Sequence, residues 1–468
     1  MARLPLCIPF GFADDVSIIL QEFFQHFVEL AAIIELLSNA TALMLNMQKC
    51  VLVPLRLQAD LQQWRRIVRA LAPSWRSCAV ARNARYLGVF IGHCFDSLIW
   101  QKPLSEYVAR VHAINALSGS WCSQVHSYCT YAVSVLTYVM QFVHLPKQLY
   151  GDETRYLAKV LKTPRNAIPR EAAYHLQLVQ HKPLPDLHAL NRAIMARAWL
   201  GFGASNKAEQ LLTSSLLDMD FFIDPVSSWA STSMIATMAA NYQYLHTIRE
   251  VDLQAEPRPQ RVAYQLLRGS PDIDAFLHAV AHRLCVLDSD VAEGMHDKKV
   301  SAEIVLGHIQ CCKPHSQPSG VQAWIRAVFN AWTTHGRYGS EHPCVFCCAP
   351  DGDRLEHYAA CTVLAFYGQE LVPHLWEAGY RMEGIETFLG ADAQFVDLER
   401  ACVLVASWFD AVHTTAIAYS RGRGHGPPVQ YLAARLKVYA IKFGKGSKSM
   451  KWLTEGICPS KASMAQWT

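Results

Sequence analysis

The chain has 468 residues, 51% of them hydrophobic and 10% aromatic, which is material for two to four packed domains and excludes a disordered polar tail. Only 18% of the residues are charged and the net charge is +4, so the overall balance names no partner. Fifteen cysteines, dispersed except for one cluster, exclude a small disulfide scaffold and predict a reducing compartment, nuclear or cytoplasmic and not secreted.

Residues 4–20, LPLCIPFGFADDVSIIL, place two apolar runs on either side of Asp14-Asp15, the pattern of a β-hairpin with two carboxylates at its turn. Adjacent acids between buried strands repel each other, so a divalent cation such as Mg²⁺ is one explanation of the pair. The general preference of Asp for turns is the other, and both stay open on the residues alone. The apolar run before the pair carries two prolines and no small-residue cleavage site, so it does not read as a signal peptide. No stretch offers eighteen uninterrupted apolar residues, and a soluble chain with no membrane partner is expected.

Helical spacing over 21–37 puts Phe23, Phe24, Phe27, Val28, Ala31 and Ile34 on one face. A short strand is expected at 50–53, stopped by Pro54, then a helix at 58–71 and a strand at 85–91. That alternation predicts an α+β class. From Pro103 the pattern turns helical, with helices expected from Pro103 to about 119, then at 123–143 and 152–161. The proline-bounded loop at 162–169 marks a domain edge. Another helix follows at 187–200. Residues 201–335 read as mostly helical with no evident chemistry, and Asp288 and Asp290 read as a solvated cap.

The second informative stretch is Cys344-x2-Cys347-x9-His357-x3-Cys361. A CxxC turn presents two thiolates at one corner, and residues four apart on a helix share a face, so His357 and Cys361 can complete a tetrahedral Zn²⁺ site. Buried thiols beside a core histidine are the plainer alternative, and Cys348 and His342 compete as ligands. Cys311, Cys312 and His315 lack the paired spacing and read as packing residues. A long helix is expected at 394–419. In the basic tail, residues 421–468, nine cations face one acid, Glu455, and aromatic residues are interleaved. Arg421, Arg423, Lys437, Lys442, Lys445, Lys448 and Lys451 are candidates there for contacts with nucleic-acid phosphates.

Phe12-Ala13-Asp14-Asp15, then Leu43-Met44-Leu45-Asn46-Met47-Gln48-Lys49, then Tyr86-Leu87-Gly88-Val89, followed downstream by the Cys/His cluster, resemble in order the motifs of non-LTR (LINE-type) retrotransposon reverse transcriptases. The resemblance implies a truncated polymerase palm over 1–95, a helical thumb over 96–165 and a helical connector over 166–340. Beyond these it implies a CCHC zinc segment over 341–366, C-terminal helices over 367–420 and the basic tail. It implies Asp14, Asp15 and Lys49 as catalytic residues, the two Asp as Mg²⁺ ligands, and Phe12 and Ala13 beside the incoming nucleotide. Tyr86, Leu87 and Gly88 would stand at the primer grip, and the thumb would offer Lys102, Arg110, Lys147, Arg155 and Lys159 to phosphates. The implied partners are an RNA template and a DNA primer. Ala42 departs from the family's glycine, and no acid precedes Asp14, so the polypeptide alone is not expected to polymerise. A non-catalytic RNA- or DNA-binding zinc protein derived from a retroelement is the alternative.

Overall fold

A computed structural model describes residues 7–12, 15–20, 23–42, 44–54, 59–92, 96–117, 120–179, 183–203, 256–268, 273–287, 295–332, 334, 342–350, 352–391, 395 and 397–444. These residues are mostly helical with a few short strands, compatible with the α+β class. The chain divides into two compact units, one built from Met1–Glu106, Val135–Pro146 and His188–Leu267, the other from Tyr107–Ser134, Lys147–Leu187 and Arg268–Thr468.

In the first unit, β1 (Cys7–Phe12) and β2 (Asp15–Leu20) form an antiparallel hairpin whose register ends at Phe12 opposite Asp15. Helix α1 (Phe23–Thr41) buries Phe27, Leu30 and Ala31. Phe24 and Val28, expected on the same face, are each 47% exposed. Strand β3 (Val51–Leu52) runs parallel to β4 (Ala79–Val80), a strand too short for its two residues to carry any periodicity. Between them lies α2 (Leu61–Leu71), started by Asp60, whose carboxylate accepts from the Gln62 and Gln63 amides. Phe27, Ala31, Val68, Ala72, Trp75 and Cys78 form the core of this βαβ turn. Each large side chain so enclosed contributes about 1.5–3 kcal/mol.

The continuous strand expected over 85–91 is instead a hairpin, β5 (Asn83–Tyr86) with β6 (Val89–Gly92). Leu87 (φ 47°) and Gly88 (φ 87°) turn it, both left-handed as a two-residue hairpin loop of the primed type requires. Among the described residues the three strand pairs are separate two-stranded ladders.

Helix α3 (Asp96–Ala116) begins earlier than expected and carries Pro103 inside it. The single helix expected over 123–143 changes hydrogen-bond register: α4 (Trp121–Ser127) passes into a π-helical turn (Tyr128–Ala132), then α5 (Ser134–Thr137) and a 3₁₀ turn (Val139–Gln141). Helices α6 (Lys147–Val160), α7 (Arg170–Tyr174), α8 (Leu187–Gly203), α9 (Pro259–Arg268), α10 (Ile273–Leu287), α11 (Met295–Cys312) and α12 (Pro318–Val328) follow. Asp288 and Asp290 lie outside the described residues.

The second unit is organised on α17 (Leu398–Ser420), which follows α13 (Leu355–Ala360), α14 (Thr362–Leu371), α15 (Pro373–Glu377) and α16 (Ile385–Leu389). Helix α17 is long and apolar enough to cross a membrane, yet its neighbours bury nearly all of it, as in a core helix. Its buried Ser407 and Thr415 donate to the Val403 and Ala411 carbonyls one turn back, at 2.8 and 2.7 Å, so neither hydroxyl is left unsatisfied. Trp324 stacks on Phe409 (5.9 Å) and donates its indole N–H to the Leu389 carbonyl (3.1 Å). Part of the expected basic tail is a packed helix, α18 (Pro428–Gly444): Leu432, Ala433 and Leu436 are buried, and Arg435 pairs with Asp410 at 3.2 Å.

Candidate metal centre

The expected ligands converge in the second unit. The Sγ atoms of Cys344, Cys347 and Cys361 and a ring nitrogen of His357 all lie within 4.8 Å of one another and could hold a metal ion. Cys344 Sγ is 4.0 Å from Cys361 Sγ, and Cys347 Sγ is 3.1 Å from His357 Nε2. A tetrahedral Zn²⁺ with ordinary bond lengths sets these edges at about 3.8 Å for S···S and about 3.5 Å for S···N. Three thiolates and an imidazole are therefore a donor set, and a spacing, consistent with zinc.

Local chain geometry explains the convergence. Cys344 accepts the Phe346 amide on its sulfur (3.4 Å), while its own amide donates to the Ala349 carbonyl (2.9 Å) and its carbonyl accepts from the Cys348 amide (3.0 Å). Cys348 closes this turn in a left-handed conformation (φ 57°), which aims its exposed side chain away; it is not one of the four. His342, the other competitor, is outside the set too, and its carbonyl accepts from the Asp353 amide (3.1 Å). His357 sits in α13, but Cys361 does not share that helix face. The helix stops at Ala360 and Cys361 occupies the junction before α14, in extended geometry (φ −73°, ψ 105°). At this break its sulfur lies 4.0 Å from Cys344 Sγ.

Cys344 and Cys361 are buried, Cys347 and His357 partly so. The hydrogen bond to Cys361, with burial, pushes the Cys344 thiol well up, and the same bond pulls the Cys361 thiol down. Burial raises Cys347 and lowers His357. Such a set gives up its remaining protons to a divalent ion that neutralises the thiolates together.

Three supporting features were not read from the spacing. Tyr358 donates to Asp353 Oδ1 at 2.6 Å in a buried pair beneath the turn, Phe346 and Trp332 pack on the Tyr358 ring at 6.0 Å, and Gly352 lies against Cys344. A Cβ at Gly352 would fall 2.6 Å from Cys344 Cβ and 2.9 Å from the Ala349 carbonyl oxygen. Gly352→Ala is therefore expected to cost about 1–3 kcal/mol by overpacking and to release metal at lower chelator concentration than the wild type. A chelator titration checks this, and unchanged retention would contradict the contact.

The other expected site residues are distributed as follows. Ala13 and Asp14 lie outside the described residues, as do Lys445, Lys448 and Lys451. Asp15 opens β2 opposite Phe12. Lys49 is exposed at the end of a turn in which Asn46 Oδ1 accepts the Gln48 amide (3.1 Å) and the Asn46 carbonyl accepts the Lys49 amide (3.0 Å). Tyr86, Leu87 and Gly88 form the second hairpin bend, where the Tyr138 hydroxyl donates to the Leu87 carbonyl. Arg421 and Arg423 are exposed in the turn after α17, Lys437 is exposed on α18, and Lys442 lies in the last turns of that helix. Cys311, Cys312 and His315 do not form a second metal cluster among the described residues; Cys312 is buried and His315 pairs with Glu399 at 3.2 Å. No protein-family profile and no curated protein matches the chain.

Proposed function

We propose that the chain is the C-terminal portion of a non-LTR (LINE-type) retrotransposon reverse transcriptase, and that it holds a primed RNA template on a scaffold stabilised by zinc. The observation that carries this reading is the four-ligand cluster, which matches the CCHC segment that the resemblance implies and follows the Asp-pair and Tyr-Leu-Gly motifs in the family's order. Zinc held by Cys344, Cys347, His357 and Cys361 has no open position, so its part is structural. On this reading Asp14 and Asp15 bind Mg²⁺, Phe12 and Ala13 border the nucleotide, and Lys49 steadies the triphosphate charge. Tyr86, Leu87 and Gly88 support the primer. Two neighbouring carboxylates do not fill an octahedral Mg²⁺ shell, so catalysis requires further oxygen ligands.

A non-catalytic nucleic-acid-binding zinc protein of retroelement origin is the second reading. What favours it is that the hairpin of β1 and β2 stands as its own two-stranded ladder among the described residues. The test is to mix the full chain, loaded with zinc, with a labelled primed RNA template, Mg²⁺ and deoxynucleotides. Binding that weakens steeply with salt is the expected result. Mg²⁺-dependent extension lost in Asp14→Ala selects the polymerase reading, and binding without extension selects the second. Absence of salt-sensitive binding overturns both.

A further inference from the structure

Residues 61–95 contain six arginines, no lysine and no acid. In a chain whose net charge is only +4, an acid-free run of this kind is a local feature that the overall balance hides. All six arginines, Arg65, Arg66, Arg69, Arg76, Arg82 and Arg85, are exposed, and among the described residues none pairs with a carboxylate.

Three of the six share one helix. Arg65, Arg66 and Arg69 lie within about one turn of α2, a rise of about 6 Å. Arg65 reaches out of the helix and donates to the Val80 carbonyl of β4 at 3.0 Å. That bond fastens the arginine-bearing helix beside the segment that goes on to Arg82 and, in β5, Arg85.

We infer that this face of the first unit is a binding surface for the phosphate backbone of a nucleic acid, read without regard to sequence. The inference goes beyond the motif residues and the basic tail, and rests on the proposed function only for its choice of probe.

One observation favours nucleic acid over an anionic membrane. A basic amphipathic helix binds a bilayer by burying its apolar face, but that face of α2 is already committed. Val68 is 2% exposed in the core, and the Trp64 ring lies 4.9 Å from Phe23 and 4.7 Å from Phe24. The helix cannot insert without dismantling its own unit. The exclusive use of arginine suits phosphate in either partner: the guanidinium fork matches two phosphate oxygens at once, which a lysine point charge does not.

The test measures binding of the full chain to a short RNA–DNA duplex of arbitrary sequence by fluorescence anisotropy, from about 50 to 200 mM salt. Each lost phosphate contact flattens the slope of log K against log salt by about 0.9. Arg66→Ala/Arg69→Ala, which spares the Arg65 bond to Val80, is expected to flatten the slope by about 2 and to weaken binding on the order of tenfold or more at low salt. Adding Arg65→Ala flattens it further. A wild-type slope in the double variant overturns the inference while leaving the proposed function standing, whereas a wild-type chain that binds no duplex overturns both. Arginine-dependent binding to phosphatidylserine vesicles that is tighter than to the duplex overturns the assignment to nucleic acid.

Discussion

A Cys344→Ser chain is expected to emerge from purification without zinc, while Cys348→Ser, four residues away, keeps it. The two thiols are neighbours in sequence and opposites in structure. Cys344 is 1% exposed, with its sulfur accepting the Phe346 amide and facing Cys361, whereas Cys348 is exposed on a left-handed backbone outside the ligand set. A serine hydroxyl does not ionise to replace a thiolate, and three remaining ligands leave buried sulfur facing no cation. Structural zinc binds zinc-finger peptides with on the order of 10–16 kcal/mol near neutral pH. Even a fraction of that is comparable with the whole stability of a domain, about 5–15 kcal/mol. The second unit of Cys344→Ser should therefore melt well below the wild type, and a strong chelator should bring the wild type down to the variant's curve. Elemental analysis beside thermal melts reads both effects. Zinc retained in Cys344→Ser, or lost in Cys348→Ser, would mean that the four-ligand set is misassigned.

The ligand set was legible because it is local. A CxxC turn and a histidine ten residues on are brought together by one loop and one short helix, and spacing alone constrains such a chain segment. What was not legible depends on residues distant in sequence or on backbone states that side-chain pattern does not report. Trp332 joins the site from outside the motif, and the break at Cys361 hides inside an apparently helical i, i+4 pair. Leu87 at positive φ is a conformation a branched apolar residue rarely adopts, so 85–91 reads as one strand unless Gly88 is taken as a turn signal. The π turn at Tyr128 keeps helical side-chain spacing nearly intact while shifting the hydrogen bonds, which composition cannot register. In the tail, the density of charge masks Leu432 and Leu436, four apart and both buried. The arginine face of α2 was present in the letters but became a surface only once Val68 and Trp64 were seen to occupy the opposite side.

Glu153→Gln is expected to stabilise the protein above neutral pH and leave it unchanged near pH 4.5. Glu153 lies in α6 with no exposed surface, and both its carboxyl oxygens are buried. The Tyr174 hydroxyl and the Leu187 backbone face it, Arg170 and Asp186 stand nearby, and the buried Tyr107 and Tyr128, whose hydroxyls are 3.0 Å apart, complete the surroundings. Burial pushes this carboxyl from its ordinary 4.5 up to about 7, opposed by the Tyr174 hydroxyl, Arg170 and the Leu187 backbone and assisted by Asp186. Between those two values the folded chain keeps a proton that the unfolded chain releases. Stability is therefore fully present below about pH 4.5 and is lost as pH rises through about 7, by about 3 kcal/mol in all. Glutamine carries no charge to bury, so the variant's urea midpoint should stay level across this window while the wild type's declines, and the curves should separate by up to about 3 kcal/mol at pH 8. A variant whose midpoint falls in parallel with the wild type, or that is the less stable of the two at pH 8, would show that the carboxylate is solvated or paired rather than sealed among the tyrosines.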